Sequence, residues 1–341
     1  KNVKKIAVIG PAADNPYSQY GDWTYLNMPF SKNQHRDGTG CYTSYLKGIT
    51  ETAKSYGIET VYCKGCDIVD TDENNIDEAV SLASESDLVI AVVGDINKQN
   101  GEHHDRCHLG LTGLQTELLE RLFKTGKRVV VILSNGRPHI TEKAEEKADA
   151  VLQTFNSGIM GGKAAARILF GEVNPSGKLA VSIPKCEGQL PSCYDYTLGW
   201  HADDFIDESA HPLYPFGYGL SYTKFEYSNL TVPDKIDSNS EYFTVCFDLK
   251  NTGEYDGTEI AEVYIYQKQT SVLQPLKALK AFERVFLKAG EGKRVCINVY
   301  LKELAVVDYE FVKSVQSGVI DVMVGGSSKK EDLITATSEI V

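Results

Sequence analysis

Seven consecutive residues, Asn100-Gly101-Glu102-His103-His104-Asp105-Arg106, bring two carboxyls, two imidazoles and a guanidinium into one short polar stretch. Such groups suit proton transfer. A general acid that assists an oxygen leaving group needs a carboxyl kept protonated by partial burial until the bond breaks. Glu102, with Gly101 before it and the histidine pair after it, is the candidate for that role. The plainer alternative is a solvated glutamate on a polar loop. Asp105-Arg106 carries the same ambiguity. It reads either as a surface ion pair of little energetic weight or as a guanidinium that holds the loop by charge-assisted hydrogen bonds.

The element that must position this stretch is the apolar run just before it, Leu88-Val89-Ile90-Ala91-Val92-Val93, bounded by Asp87 and by Gly94-Asp95. A run of that kind reads as a strand buried on both faces of a parallel sheet. In open parallel sheets, ligand chemistry gathers beyond the carboxyl ends of the strands. The surrounding sequence alternates strand and helix patterns. Strands are expected at 3–10, 59–64, 87–95, 128–135, 150–155 and 178–183, and helices at 42–56, 76–84, 112–124, 141–147 and 162–170. Within the third helix, Leu111, Leu114, Leu118 and Leu122 form one apolar stripe, and Thr112 with Gln115 resembles a capping box.

Other strand ends are polar as well. The first strand leads into Gly10-Pro11-Ala12-Ala13-Asp14-Asn15 and then Gly21-Asp22-Trp23-Thr24; the fourth leads into Asn135-Gly136-Arg137-Pro138 and the fifth into Asn156-Ser157-Gly158. Three such loops on one sheet edge say more than any single motif. Trp23 offers a flat aromatic face of the kind that stacks on a sugar ring, or else it is a partly buried core residue. No G-x-G-x-x-G follows a strand, which argues against a nucleotide-binding Rossmann protein.

A length of 341 residues accommodates two domains. The net charge of −12 argues against nucleic acid or an anionic membrane surface as partner. No apolar stretch approaches the about 18 residues of a membrane span, and Lys1-Asn2-Val3-Lys4-Lys5-Ile6 lacks the apolar block of a leader. Eight scattered cysteines suggest reduced thiols rather than a disulfide framework, and hence a cytoplasmic location. Cys63-x-x-Cys66 lacks the second ligand pair of a zinc site and reads as structural. His103, His104, His201 and His211 include no helical pair with a flanking Glu, so no metal and no cofactor are expected.

Punctuation by Pro191, Gly199, Pro212 and Pro215 marks a long connecting loop. Beyond Leu220 the pattern alternates with period two, clearest where Val295, Ile297, Val299 and Leu301 interleave with Cys296, Asn298 and Tyr300. Several short strands at this spacing predict an antiparallel β-sandwich. The expected organisation is an α/β domain at 1–190, a connecting loop at 191–219 and an all-β sandwich at 220–341. Phe216-Gly217-Tyr218-Gly219-Leu220-Ser221-Tyr222 reads as junction packing.

Taken together, these stretches resemble the C-terminal half of glycoside hydrolase family 3, the β-glucosidase and β-xylosidase family. The matching residues begin with Ile6-Ala7-Val8-Ile9-Gly10-Pro11 and Gly101-Glu102-x-x-Asp105-Arg106 leading to Leu109-x-Leu111. They continue through Asn135-Gly136-Arg137-Pro138, the run Gly171-Glu172-Val173-Asn174-Pro175-Ser176-Gly177-Lys178-Leu179, and the junction Tyr214-Pro215-Phe216-Gly217-Tyr218-Gly219-Leu220-Ser221-Tyr222-Thr223-x-Phe225. Leu279-x-x-Phe282-Glu283-Arg284-Val285 and Gly325-Gly326-Ser327-Ser328 complete the set.

The resemblance implies an α/β sandwich, mostly parallel with helices on both faces, followed by a fibronectin type III-like domain. It implies that Glu102 is the general acid/base of a retaining, exo-acting β-glycosidase acting on terminal non-reducing sugars. Asp105 and Arg106 match supporting residues, Trp23 an aromatic of the aglycone subsite, and Trp200 and His201 the edge of the same pocket. The family's nucleophile is an Asp on a TIM barrel, and this sequence holds no barrel. A partner barrel, from the same gene or a separate chain, is therefore expected, with a β-glycoside or oligosaccharide as substrate. The alternative is a non-catalytic carbohydrate-binding or interaction module.

Overall fold

The computed structural model describes residues 3–24, 42–141, 144–200 and 205–341. The chain divides into two compact units, Lys1–Val173 and Asn174–Val341. In the first, strands β1 (Lys5–Ile9), β2 (Glu59–Cys63), β3 (Leu88–Gly94), β4 (Arg128–Ser134) and β5 (Ala150–Gln153) form one parallel sheet in the order β2-β1-β3-β4-β5. Helices α1 (Pro16–Gln19), α2 (Tyr45–Ser55), α3 (Ile76–Ser84), α4 (Gln115–Phe123), α5 (Ala144–Lys147) and α6 (Gly161–Leu169) complete it.

Alternation along the strands feeds two cores. Ala7, Ile9, Val89, Ala91, Val93, Val129 and Val131 pack on one face with Ile76, Ala79 and Ala83 of α3 and Leu118, Leu119 and Leu122 of α4. Ile6, Val8, Ile90, Val92 and Ile132 pack on the other with Tyr45 and Ile49 of α2 and Ala165 and Ala166 of α6. Both faces being covered explains why these strands read as continuous apolar runs. Chain order reverses between β1 and β3, the strands being added outward on either side of that point, where doubly wound sheets open a crevice.

The second unit is a β-sandwich built from β6 (Phe225–Thr231), β7 (Lys235–Ile236), β8 (Tyr242–Asn251), β9 (Gly257–Gln267), β10 (Ala278–Leu287), β11 (Gly292–Tyr300), β12 (Val306–Val307), β13 (Lys313–Ser314), β14 (Gly318–Gly325) and β15 (Leu333–Ile340). One sheet runs β10-β9-β14-β15-β7, the other β11-β8-β6, and β12 pairs with β13. Val245, Phe247 and Leu249 meet Ala261, Val263, Ile265, Val322 and Val324 in the core. The expected fold class is therefore present in both units.

Three expectations are corrected. Residues 178–183 are not a strand of the parallel sheet: the segment lies in the second unit, where Ile183 bridges Tyr214 and the Gly217 N–H donates to Leu179 O. Its apolar alternation suited a strand, but its backbone pairs only here and there. Gln115 does not close a capping box. Fully buried, it satisfies its amide by accepting the Gly94 N–H (2.9 Å) and donating to Gly94 O (2.9 Å) and Ile68 O (3.2 Å), tying α4 to the end of β3. Finally, Cys246 and Cys296 form a disulfide. Antiparallel register sets them directly opposite each other on β8 and β11, a relation invisible in their spacing along the chain. Cys63 and Cys66 are buried free thiols, and burial pushes the Cys66 thiol up to about 12, which keeps it inert.

Because the disulfide joins cysteines 50 positions apart, the chain-entropy relation gives it about 4 kcal/mol of stabilisation at most. Urea denaturation of the Cys246→Ala/Cys296→Ala chain is expected to show about 2–4 kcal/mol less stability than the parent. An unchanged midpoint would mean that the two thiols are not paired in solution.

Candidate active site

Glu102 occupies the loop after β3, the central strand, and the loop after β1 lies beside it. The two are joined where the Asn97 N–H donates to Tyr17 O (3.3 Å) and the Glu102 N–H donates to Asp22 Oδ2 (3.1 Å). Gly101 makes this approach possible. It has φ +110, and a Cβ there would fall 2.4 Å from the Asp22 side chain. His103, on the other side of Glu102, takes φ +63, a left-handed conformation that few residues other than glycine adopt. The Glu102 carboxyl thus projects from a tight turn, and its side chain is 56% exposed. His103 Nε2 stands 3.8 Å from Glu102 Oε1.

Beneath the turn lies a buried carboxylate, Asp95, with no exposed surface. Its Oδ1 accepts from Asn100 Nδ2 (2.8 Å) and from the Gly136 N–H (3.0 Å). Its Oδ2 accepts from His139 Nε2 at 3.0 Å, and both side chains of that pair are inaccessible. Arg137, from the loop after β4, donates from Nη2 to Gln99 O (2.7 Å) and His104 O (2.8 Å), closing both ends of the turn. The loop after β5 joins the same edge, since the Gly158 N–H donates to Gln19 O and Gln19 Nε2 returns a bond to Gly158 O.

Of the residues singled out from sequence, Arg106 donates from Nη2 to Gly110 O (2.8 Å), steadying the far end of the loop. Burial and the neighbouring Arg137 hold its guanidinium below the usual arginine range. Asp105 is exposed and makes no hydrogen bond or ion pair among the described residues. Trp23 follows Asp22, so the Glu102 N–H to Asp22 bond places its segment beside Glu102; it takes φ +53 and is 69% exposed. Trp200 belongs to the second unit, where its N–H donates to Thr197 O. His201 lies outside the described residues. Asp22, Asp95, Asn100, Arg137 and His139 were not singled out individually. The signal for Asp95 was available: an acid directly after a strand buried on both faces is placed where only partners can keep it.

Comparison with known proteins adds the family. Residues 1–222 match the glycosyl hydrolase family 3 C-terminal domain, and residues 259–328 match the fibronectin type III-like domain. A β-xylosidase of Formosa agariphila is 36% identical over 339 residues, covering 98% of this chain and 46% of that protein. A periplasmic β-glucosidase of Salmonella typhimurium is 33% identical over 345 residues, covering 95% of this chain and 45% of that protein. The chain therefore spans about half the length of these curated relatives. Among solved structures, a β-glucosidase involved in saponin metabolism from intestinal bacteria superposes with a TM-score of 0.90 at 32% identity, covering 99% of this chain and 51% of that one.

Leaving a buried donor without its acceptor costs about 1–3 kcal/mol, and Asp95 serves three such donors. Asp95→Ala is therefore expected to destabilise the first unit by about that much, with faster amide exchange at Gly136 and Glu102. A loss below about 1 kcal/mol, the scale of a surface pair, would show that Asp95 does not anchor the loop.

Proposed function

The chain belongs to glycoside hydrolase family 3, and from that premise we propose that it is the acid/base-bearing half of a retaining β-glycosidase. The activity is exo-acting, of β-glucosidase or β-xylosidase type, on terminal non-reducing β-linked sugars. The observation that carries this reading is the position of Glu102, on an anchored loop at the β1/β3 switch point with its carboxyl turned outward. In the first step Glu102 gives its proton to the glycosidic oxygen while a carboxylate attacks the anomeric carbon. In the second it takes a proton from the water that releases the sugar. Arg106 supports the loop, and Trp23 lines the aglycone side.

Retaining hydrolysis sets two carboxyls about 5–5.5 Å apart. The nucleophile is assigned to a TIM barrel outside these 341 residues. Glu102 is more than half exposed here, and a general acid works under partial cover. The barrel would supply the missing cover by closing over the turn. Left-handed backbone at His103 supports the same reading, since strain of this kind persists where the surroundings enforce a functional geometry.

The test is hydrolysis of aryl β-glucosides and β-xylosides by the chain alone and together with a barrel partner. Activity is expected only in the combination. In the complete enzyme, Glu102→Gln should slow substrates with poor leaving groups about 10²–10⁴-fold, affect activated aryl glycosides less, and be partly rescued by azide. Rates unchanged by the substitution would remove Glu102 from the role. Turnover by the chain alone would place a second working carboxylate within it, with Asp22 the first to replace. Saturable sugar binding without turnover in any combination would favour a non-catalytic carbohydrate-binding module.

A further inference from the structure

Asp22 stands between the two groups that the proposed function puts to work. Its Oδ2 accepts the Glu102 N–H (3.1 Å), and its side chain lies against Gly101, where a Cβ would fall 2.4 Å from both Asp22 Cβ and Oδ2. The next residue along the chain is Trp23, 69% exposed and held in left-handed backbone at φ +53. Thr24 Oγ1 donates to Gly21 O (2.7 Å), closing a turn with Asp22 and Trp23 at its middle positions. The base of that turn is anchored. Gln19 is fully buried and donates from Nε2 to Thr43 O (3.2 Å) and Gly158 O (3.1 Å), and the Tyr20 N–H donates to Pro16 O (3.1 Å).

The Asp22 contact does little for the stability of the fold. Glu102 is exposed, so water can serve its N–H where Asp22 does not. What the contact decides is direction. Backbone with positive φ flanks Glu102 on both sides, Gly101 at +110 and His103 at +63. A charge-assisted hydrogen bond to the N–H between them fixes which way the turn faces. One side chain thus sets the backbone of Glu102 and belongs to the turn that presents Trp23.

We propose that Asp22 is a positioning residue that couples recognition of the aglycone to its protonation, by holding the Glu102 backbone to the turn that carries Trp23. An aglycone ring stacked on Trp23 then brings its glycosidic oxygen to a set place relative to the Glu102 carboxyl. A leaving group too small to reach the indole gains nothing from that registration. The coupling therefore favours ring-bearing aglycones, a second sugar or a phenol, over a methyl group. It rests on the glycosidase reading with Glu102 as the acid.

In the chain by itself, Asp22→Ala is expected to speed amide exchange at Glu102 about tenfold while leaving the urea midpoint in place. In the complete enzyme the same variant should lower kcat on β-linked disaccharides about 10²-fold, the scale of an ångström's misplacement. KM should change less, and dinitrophenyl glycosides, which depart without an acid, should be slowed far less. Asp22→Asn keeps an acceptor oxygen for the Glu102 N–H and should recover most of the loss. Because Asp22 and Trp23 act through one turn, the Asp22→Ala/Trp23→Ala pair should lose less than the product of the single effects. A Glu102→Gln enzyme that slows no substrate selectively would sink the glycosidase reading, and the coupling with it. Where that selective loss is present, equal slowing of all substrates by Asp22→Ala, no recovery in Asp22→Asn, or strictly multiplicative effects at Asp22 and Trp23 would overturn the coupling alone. So would an unchanged exchange rate at Glu102.

Discussion

The shape of the Glu102 loop follows from what Asp95 needs. A carboxylate stripped of water costs several kcal/mol unless donors surround it, and Asp95 has no accessible surface at all. Its three donors come from Asn100 in the loop itself, Gly136 after β4, and His139 just beyond. Meeting that requirement fixes two segments relative to one another, the loop after β3 and the loop after β4. Arg137 is carried on the second of them, and from there it ties down Gln99 O and His104 O, the two sides of the turn that holds Glu102. An exposed carboxyl therefore stands on a buried, hydrogen-bonded base, the arrangement that a reacting group on a loop requires if its position is to be reproducible.

Exposure at the tip and burial at the base suit half of an active site. Glu102 and Trp23 are both largely open to solvent, although the segments that carry them are joined by backbone hydrogen bonds. Under the proposed function, groups held this firmly and covered this little are the surface on which a barrel closes. The chain spans about half the length of its curated relatives.

Period and placement were legible in the sequence. Val89, Ala91 and Val93 alternate with Ile90 and Val92 between two cores, which is why the run looked uniformly apolar, and the strand end located the Glu102 loop. What the sequence concealed were relations between distant residues. Asp95 and His139 are 44 positions apart, and neither position alone announces the other. Cys246 and Cys296 meet only once antiparallel register is known. Thr112 and Gln115 fit a capping box by spacing, but full burial of Gln115 demanded more partners than a cap offers, and the end of β3 supplied them. In each case local pattern named the element, and long-range satisfaction of polar groups decided the contact.

Both units press a glycine onto a carboxyl group, and the two contacts differ in what answers the carboxyl. Gly101 lies on Asp22, whose oxygen accepts a backbone N–H from the very turn it supports. Loss of that contact would undo the turn, so the geometry around Glu102 is self-reinforcing. Gly217 lies on Glu262, which is buried more deeply and receives a tyrosine hydroxyl in place of a backbone donor, while the nearby lysine is engaged by Glu259. The same steric device thus serves a carboxyl hydrogen-bonded by the loop it holds in one unit, and a carboxyl answered by a side-chain hydroxyl in the other.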